Sequence, residues 1–376
     1  MSLNVVHVIR QYYPSVGGME DVVRNIAASQ RATGEQNASV VTLNRLFRNS
    51  DQVLDTDDEV DGVPVTRLPY RGSSRYPLCP SVLRQIDQAD VVHVHGVDFF
   101  FDYLAVTRPM HRRPLLLSTH GGFFHTEFAS QLKKIWFNTI TRAASSAYDR
   151  IVATSENDGH RFRDIVPESR LEVIENGVNT DKYAGRGCRE INHTLIYFGR
   201  WSANKGLPEA LDLLRALRAQ DARWHLIIAG REYDFSLETL DREVVRRGLT
   251  QSAVTLEASP SDERLAELMG QAAWFVCLSR HEGFGLAAIE AMSAGLTPVL
   301  SDIPPFRKLV DASGIGITAD ARTPEQLARE LHRLHEQGQL AHEQRRVEAM
   351  DFARQYSWPR IADRYIRLYD TLGGSR

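Results

Sequence analysis

The 376-residue sequence has few cysteines, little net charge and no long apolar run. Its cysteines, Cys79, Cys188 and Cys277, lie far apart in no paired pattern. This spacing argues against a disulfide framework and a cysteine zinc site, and it favours a reducing compartment. The 45 Lys and Arg against 48 Asp and Glu leave a net charge of −3, which disfavours duplex nucleic acid as a partner. We therefore expect a cytoplasmic protein that does not bind nucleic acid.

Membrane-crossing segments are also missing from the sequence. A helix needs about 18 consecutive apolar residues to span a bilayer, and no such run is present. The first fifteen residues lack the basic and apolar regions of a secretory signal. Any membrane contact is therefore expected to be peripheral. Hydrophobic residues make up 43% and charged residues 25%, which is typical of globular chains, and the length suits two domains.

Short apolar runs rich in Val and Ile alternate with stretches of helical spacing, six runs in each half of the chain. This alternation predicts an α/β fold with two Rossmann-like domains facing a deep interdomain cleft. We place the first domain at residues 1–182 and the second at 190–355, joined by a polar linker. A last helix occupies 356–376. The charged stretch 49–61 is interpreted as a solvated surface loop.

The most informative segment follows the apolar run 274–277 and carries two glutamates separated by seven residues, Glu282 and Glu290. The glycines between them allow close backbone approach to a ligand. The helical composition after them predicts a helix N-terminus, which binds phosphate through free N–H groups and the helix dipole. A lone glutamate is more often a helix cap or a surface ion pair, but the whole arrangement favours a nucleotide-sugar site. Its candidate donor-binding residues are Glu282, Gly283, Phe284, Gly285, Leu286 and Glu290.

Three further loops follow predicted strands. Arg200 and Lys205 lie in a glycine-bounded loop, where both cations can converge on a diphosphate. Gly17-Gly18 lies between the first strand and the first helix, and permits either ligand contact or a tight turn. His120 follows a third strand and is expected to face the cleft.

His93 and His95 alternate along another predicted strand, which raises the question of a zinc site. We expect their side chains on opposite faces, with one of them buried and hydrogen-bonded. No carboxylate or cysteine at ligand spacing completes a ligand set. The sequence therefore predicts no metal site here.

These motifs, in this order along essentially the whole chain, resemble the retaining GT-B glycosyltransferases of family 4. The resemblance implies that Gly18 packs against the donor diphosphate and that His120 contacts the donor sugar. It also implies that Arg200 and Lys205 neutralise the leaving diphosphate. Glu282 would orient the sugar and Glu290 would bind the ribose, while the last helix would cross back to the N-terminal domain. The catalytic residues expected from it are His120, Glu282, Arg200 and Lys205.

Within that family, the segments 70–77, 95–102, 118–125 and 301–306 look like the α-1,3-mannosyltransferases of xanthan-type exopolysaccharide assembly. That class transfers mannose from GDP-mannose to a cellobiosyl diphosphate polyprenol. The likeness implies a polyprenyl diphosphate-linked acceptor, a position at the inner face of the cytoplasmic membrane, and candidate acceptor contacts at Arg71, Arg75, His95 and Asp98. It favours front-face substitution for retention, although double displacement stays open.

No metal or other cofactor is expected, because the cations and the helix N-terminus can together stabilise the leaving diphosphate. Asp55-Thr56-Asp57 matches the Asp-x-Asp pattern of metal-dependent transferases but falls in the charged stretch, so we interpret it as chance. Residues 108–150 hold seven Lys or Arg against two Asp or Glu. Lys133 and Lys134 stand beside aromatic residues there, which suits an anionic membrane surface as well as a solvated helix.

Several alternatives remain open at this point. The same fold could use another donor, UDP-glucose or UDP-N-acetylglucosamine, or another acceptor. Some sugar-nucleotide epimerases share the two-domain architecture. A nicotinamide oxidoreductase is disfavoured because the Gly17-Gly18 loop lacks the G-x-G-x-x-G spacing, and a non-catalytic binding module is disfavoured by the intact charged residues. The oligomeric state is not indicated.

Overall fold

A computed structural model describes residues 2–34, 36–47, 49–121 and 136–374. The chain divides into two compact units. The N-terminal unit comprises residues 1–177 and 358–376, and the C-terminal unit comprises residues 178–357. Among the described residues, no helix combines the length and the apolar character needed to cross a bilayer.

The N-terminal unit is built on an eight-stranded sheet in the order β12-β11-β10-β9-β1-β2-β6-β5. All neighbours are parallel except β5, which pairs antiparallel with β6 at the edge. Two short hairpins, β3-β4 and β7-β8, stand apart from it. The strands are β1 Leu3–Val8, β2 Gln36–Leu43, β3 Arg45–Leu46, β4 Asn49–Val53, β5 Asp57–Val60, β6 Val63–Leu68, β7 Arg71–Ser73, β8 Tyr76–Leu78, β9 Val91–His95, β10 Leu115–Ser118, β11 Arg150–Ala153 and β12 Leu171–Val173.

Helices cover both faces of this sheet, because its central strands are buried on both sides and read as nearly continuous apolar runs. Phe100, Phe101 and Leu104 fill one face, and Val22 with Ile26 fill part of the other. The helices are α1 Gly18–Thr33, α2 Val82–Gln85, α3 Phe99–Val106, α4 Arg108–His111, a π-helical turn Phe137–Thr141, α5 Arg142–Ser145, α6 Glu156–Arg163 and a 3₁₀ turn Glu168–Arg170.

The C-terminal unit has a six-stranded, fully parallel sheet in the order β15-β14-β13-β16-β17-β18. This is the strand order of a Rossmann fold, with its reversal between β13 and β16. Its strands are β13 Thr194–Phe198, β14 His225–Gly230, β15 Val254–Ala258, β16 Trp274–Cys277, β17 Thr297–Ser301 and β18 Ile317–Ala319.

Helices enclose the apolar core of the C-terminal unit, which includes Trp201, Trp224 and Trp274. Two of them begin at serine N-caps, Ser236 and Ser261, whose side chains accept main-chain N–H bonds. The helical elements are a 3₁₀ turn Ala203–Lys205, α7 Leu207–Arg218, α8 Leu237–Arg246, α9 Asp262–Met269, α10 Leu286–Ser293, α11 Pro304–Ser313, α12 Pro324–Glu336, α13 Gly338–Ala353 and a 3₁₀ turn Arg354–Tyr356.

The last helix, α14 Trp358–Gly373, belongs to the N-terminal unit. Its buried residues Ile361, Tyr365 and Tyr369 join the core that also holds Val22 and Ile26 of α1. Burial of these apolar and aromatic side chains holds the end of the chain against the first sheet.

Two local expectations were wrong. The charged stretch 49–61 is not a loop, since it contributes β4 and the edge strand β5. The N-terminal sheet has eight strands instead of six, because β5 and β6 were not recognised. An edge strand is solvated along one side, so three consecutive acidic residues are tolerated in β5, where Arg67 donates to Asp58 at 2.6 Å.

Candidate active site

In the C-terminal unit, the predicted donor-site residues follow β13 and β16, the two adjacent strands at which the strand order reverses. Arg200 and Lys205 come after β13, while Glu282 and Glu290 come after β16. Open parallel sheets bind ligands in the crevice beyond the carboxyl ends of the strands at this reversal point. The sheet order therefore brings the two predicted loops to one place.

Lys205 and Glu282 form the charged contact at the centre of this region. The Lys205 Nζ atom lies 2.7 Å from Glu282 Oε1, and the side chains are 21% and 13% exposed. Ser279 Oγ also donates to Glu282 Oε1, at 2.6 Å. Because one carboxylate oxygen receives both bonds, the Glu282 side chain is held in a defined orientation.

Glycine explains how these loops approach each other so closely. Gly206 has a φ of +68°, and a Cβ there would lie 2.1 Å from the carbonyl oxygen of Leu278. Gly285, at the N-cap of α10, has a φ of +93°, and its Cβ would lie 2.7 Å from the Phe306 ring. A side chain at 206 would push the Lys205 loop away from the segment after β16, whereas a side chain at 285 would collide with Phe306 of α11.

Arg200 occupies a different environment in the same loop. Its main-chain carbonyl accepts a hydrogen bond of 2.8 Å from the Tyr197 hydroxyl, and its guanidinium lies 5.3 Å from the centre of the Tyr233 ring. In the part of the chain that the structure describes, no ion pair joins Arg200 to the Lys205–Glu282 contact. The exposed Arg200 side chain is thus held by stacking instead of by a carboxylate.

Glu290 lies in α10 near residues that the sequence had not singled out. Burial raises the pKa of the Glu290 carboxyl, and the nearby Lys182 charge opposes this rise. Lys182 Nζ lies 2.8 Å from Asp262, which also accepts from the Tyr183 hydroxyl at 3.2 Å. Lys182 and Asp262 were missed because they lie in a polar stretch and at a helix start, without a pattern that predicts binding.

In the N-terminal unit, the corresponding reversal of strand order lies between β1 and β9. The Gly17-Gly18 pair precedes α1 after β1, and a Cβ at Gly18 would meet nothing within 4 Å. Packing therefore does not require glycine at 18, and the space beside it is open. Arg10, also after β1, was missed; its Nε lies 2.9 Å from Asp98 Oδ2.

His120 follows β10 in a strained main-chain conformation. Its φ of +52° lies in the left-handed region, which is uncommon for residues other than glycine. Such strain persists only where surrounding structure imposes it, and it concentrates at functional sites. Desolvation lowers the pKa of His120 to about 3, so the imidazole is neutral at pH 7.

His93 and His95 share one face of β9, so the expectation of opposite faces was wrong. Strand side chains alternate with a period of two, and residues two apart therefore lie on the same side. The two ring centres are 3.8 Å apart. With His7 of β1 they place three imidazole nitrogens within 4.8 Å of one another, a spacing that could suit a metal ion.

The hydrogen bonds of these three buried histidines leave no nitrogen free for a metal. His93 bonds the Tyr369 hydroxyl at 2.7 Å and Ser118 Oγ at 2.8 Å. His7 bonds Gln30 at 2.6 Å and His95 at 3.0 Å, and the second nitrogen of His95 bonds His120. Each imidazole is thus satisfied by the protein, which favours a hydrogen-bonded network.

The predicted acceptor residues lie in distinct surroundings. Arg71 and Arg75 are exposed on the β7-β8 hairpin. Asp98 is buried at the N-cap of α3, where it accepts from the main-chain N–H of Phe100 at 2.8 Å, and burial raises its pKa to about 6. His95 is fully buried, with both nitrogens bonded to other histidines.

The basic segment predicted at a membrane surface falls largely outside the described residues, including Lys133 and Lys134. Of its aromatic residues that are described, Trp136 is 41% exposed. Phe137 is buried, with its ring 5.2 Å from that of Phe162. Phe137 is therefore a core residue.

Two family models match the chain, one in each unit. Residues 16–182 match glycosyltransferase family 4, and residues 186–348 match glycosyl transferases group 1. The chain belongs to glycosyltransferase family 4. The resemblance stated from the motifs is confirmed, and the chain is a glycosyltransferase.

Members of the family with similar sequences match over nearly their whole length. A GDP-mannose:cellobiosyl-diphosphopolyprenol alpha-mannosyltransferase of Xanthomonas oryzae pv. oryzae (strain PXO99A) is 52% identical over 372 residues, covering 99% of this chain and 98% of the relative. A protein of the same name from Xanthomonas campestris is 51% identical over 373 residues, with the same coverage of 99% and 98%.

A solved structure supports the fold independently. The glycosyltransferase from Rickettsia africae ESF-5 aligns over 100% of both chains with a TM-score of 0.75 and 15% sequence identity. At that identity the likeness concerns the fold alone. The expected α/β class, GT-B with two Rossmann-like domains, is confirmed.

Proposed function

We propose that this glycosyltransferase is a retaining α-mannosyltransferase that transfers mannose from GDP-mannose to a cellobiosyl diphosphate polyprenol in exopolysaccharide assembly. The observation that carries the proposal is the 52% identity over 99% of the chain to a relative named for that donor and acceptor. The likeness extends through both units, so it includes the N-terminal segments expected to contact the acceptor as well as the donor motif.

The geometry of the C-terminal unit supports a nucleotide-sugar donor. In this proposal, Lys205 and Arg200 stabilise the negative charge that develops on the departing diphosphate, together with the N–H groups at the start of α10. Glu282, oriented by Lys205 and Ser279, binds hydroxyls of the sugar. Glu290, about one turn beyond the start of α10, binds the ribose.

We also propose that transfer needs no metal ion. Arg200, Lys205 and the α10 N-terminus supply positive charge at the phosphates, which is the task that a divalent cation performs in metal-dependent transferases. The Asp-x-Asp match at 55–57 leads into the edge strand β5 of the N-terminal unit and does not follow the carboxyl end of a strand of the parallel sheet.

A lipid-linked acceptor requires the enzyme to work at a membrane, and we propose a peripheral position on the cytoplasmic face. The seven Lys or Arg against two Asp or Glu in residues 108–150 support attraction to anionic lipids. Replacing Lys133 and Lys134 by Glu should weaken cosedimentation with phosphatidylglycerol vesicles. Equal binding of this variant and the unmodified enzyme would contradict the membrane role of these lysines.

The deciding experiment measures transfer from radiolabelled GDP-mannose to a synthetic cellobiosyl diphosphate lipid in the presence of EDTA, with UDP-glucose in parallel. We expect label in the lipid from GDP-mannose alone. Label in the lipid from UDP-glucose alone would contradict GDP-mannose as the donor but would still agree with a glycosyltransferase of this family. Transfer that EDTA abolishes and Mg²⁺ restores would contradict metal independence.

A further inference from the structure

A row of hydrogen-bonded polar side chains crosses the N-terminal unit from α14 to the end of β10. It passes through the interior between α1 and the sheet. All members except the last are at least 98% buried. We call it the polar row; its members, in order from α14, are Gln36, Gln30, His7, His95 and His120.

The direction of the row is set where it meets α14. Gln36 Nε2 lies 3.2 Å from the main-chain oxygen of Ile366 and 2.8 Å from the Asp370 carboxylate. Both groups can only accept, so Gln36 presents its NH₂ group to α14 and its oxygen to Gln30. Gln30 Nε2 donates to that oxygen at 3.0 Å. The Gln30 oxygen therefore faces His7 as an acceptor.

From Gln30 onward, each bond determines the next. The Gln30 oxygen accepts from His7 Nε2–H at 2.6 Å. A neutral imidazole carries one N–H, so His7 Nδ1 must accept, and its partner at 3.0 Å is His95 Nε2. By the same reasoning His95 Nδ1 accepts from His120 Nε2–H, also at 3.0 Å.

The reasoning requires neutral histidines, and their burial provides this condition. Desolvation lowers the pKa of His7 to about 4 and that of His95 well below its usual value. Two cationic imidazoles cannot share a hydrogen bond, because both nitrogens of each would be donors. At pH 7 the row therefore has one consistent arrangement of protons.

We propose that Gln36, Gln30, His7 and His95 are positioning residues that hold His120 as its Nε2–H tautomer, leaving Nδ1 as an obligate acceptor for a sugar hydroxyl. The ligand class rests on the proposed function, whereas the tautomer does not. His95 thus acts through His120 and not on the lipid-linked acceptor. His120, whose φ is +52°, is the last residue of this row.

The first test reads the tautomers of the unmodified protein without substrate. Selective ¹⁵N labelling of histidine and two-bond ¹H–¹⁵N correlation spectra at pH 7 distinguish Nδ1–H from Nε2–H rings. We expect His7, His95 and His120 all as Nε2–H. An Nδ1–H or cationic His120 would overturn the proposal, as would one tightly bound zinc per chain by elemental analysis.

The second test breaks the row at a distance from His120. Gln30→Met removes the acceptor of His7 Nε2–H at similar volume, so the tautomers of His95 and His120 should become mixed, and transfer should fall about three- to tenfold, which is ~1 kcal/mol. Gln344→Met, the same change at an exposed position in the other unit, is the control. Unchanged His120 signals in Gln30→Met would refute the coupling.

The measurements distinguish the polar row from the proposed function. If the signals behave as expected and no mannose is transferred, the proposed function fails while the polar row stands. If mannose is transferred by a protein with Nδ1–H His120, the function stands and the polar row fails.

Discussion

At the scale of single residues, Lys205 and Glu282 form a largely buried ion pair. A buried pair contributes little to stability when its desolvation is counted, and such pairs are often explained by function. A bound diphosphate would compete with Glu282 for the ammonium group. In the proposed function, the contact orients the Glu282 carboxylate and the Lys205 ammonium group toward the donor.

Lys205→Ala and Glu282→Ala should each lower mannose transfer by more than tenfold, equivalent to ~1.4 kcal/mol or more of lost transition-state stabilisation. In the proposed function, the first change removes a cation that stabilises the leaving diphosphate, and the second removes the carboxylate that binds the sugar. Initial rates with saturating acceptor measure the effect, and thermal unfolding verifies the fold.

Arg223→Ala is the matched control for this prediction, because it removes an exposed cation that pairs with Asp221 just before β14, at the amino end of that strand. Its transfer rate should stay within twofold of the unmodified enzyme. Unmodified rates in Lys205→Ala and Glu282→Ala, with unchanged unfolding, would reject this site.

At the scale of elements, the loop after β13 depends on one glycine. Gly206→Ala should destabilise the protein by more than ~3 kcal/mol and abolish transfer, since the new Cβ would meet the Leu278 carbonyl at 2.1 Å in addition to the strain of a positive φ. Urea unfolding and transfer rates measure the two effects.

Gly248→Ala separates strain from collision. Gly248 has a φ of +69°, nearly that of Gly206, but its Cβ would meet nothing within 4 Å. The Gly248→Ala substitution should lower the free energy of unfolding by only about 1 kcal/mol and leave the transfer rate unchanged. Similar losses of stability and transfer in Gly206→Ala and Gly248→Ala would contradict a structural need for the close approach of Gly206 to Leu278.

The last helix α14 is coupled to the sheet through Tyr369. Tyr369→Phe should lower the free energy of unfolding by about 1–3 kcal/mol, because the buried Nδ1 of His93 loses the hydroxyl that bonds it at 2.7 Å. Arg367→Ala, on the exposed side of α14, should change stability by less than ~0.5 kcal/mol. Equal changes in unfolding free energy for the two variants, measured by urea titration, would contradict a stabilising hydrogen bond from the Tyr369 hydroxyl to His93.

At the scale of the whole molecule, the buried histidines make stability depend on pH. Burial lowers the pKa of His7 to about 4 and of His120 to about 3, and it lowers those of His93 and His95 strongly. Between these values and 6.5 the unfolded chain binds more protons than the folded chain. Stability is therefore complete above about pH 6.5 and declines as pH falls.

Unfolding free energies should fall from pH 7.5 to pH 5.5, by up to ~1.4 kcal/mol per pH unit for each histidine below pH 6.5. Asp98 opposes this trend in part, since burial raises its pKa to about 6. His160→Gln, at an exposed position, should keep the same pH dependence. A flat profile in urea unfolding would contradict buried neutral histidines.

Much of the fold was predictable because it depends on local patterns. The apolar runs at β9, β10, β13 and β16 are buried on both faces, so composition alone indicates parallel strands. The glycine-containing loops after β13 and β16 were also identified, because they directly follow these strands in the sequence. The edge strand β5 was not, because Asp57–Val60 is held by pairing with β6, and its charged side chains face solvent.

The sequence by itself determined the two-domain α/β class, the family and the loops that carry Arg200, Lys205, Glu282 and Glu290. These follow from short-range spacing, which the order of residues specifies directly. Only the tertiary structure decided that Lys205 contacts Glu282 across 77 positions and that Gln36 meets Asp370 across 334. Such contacts depend on strand order and helix packing, and no local pattern encodes which distant side chains become neighbours.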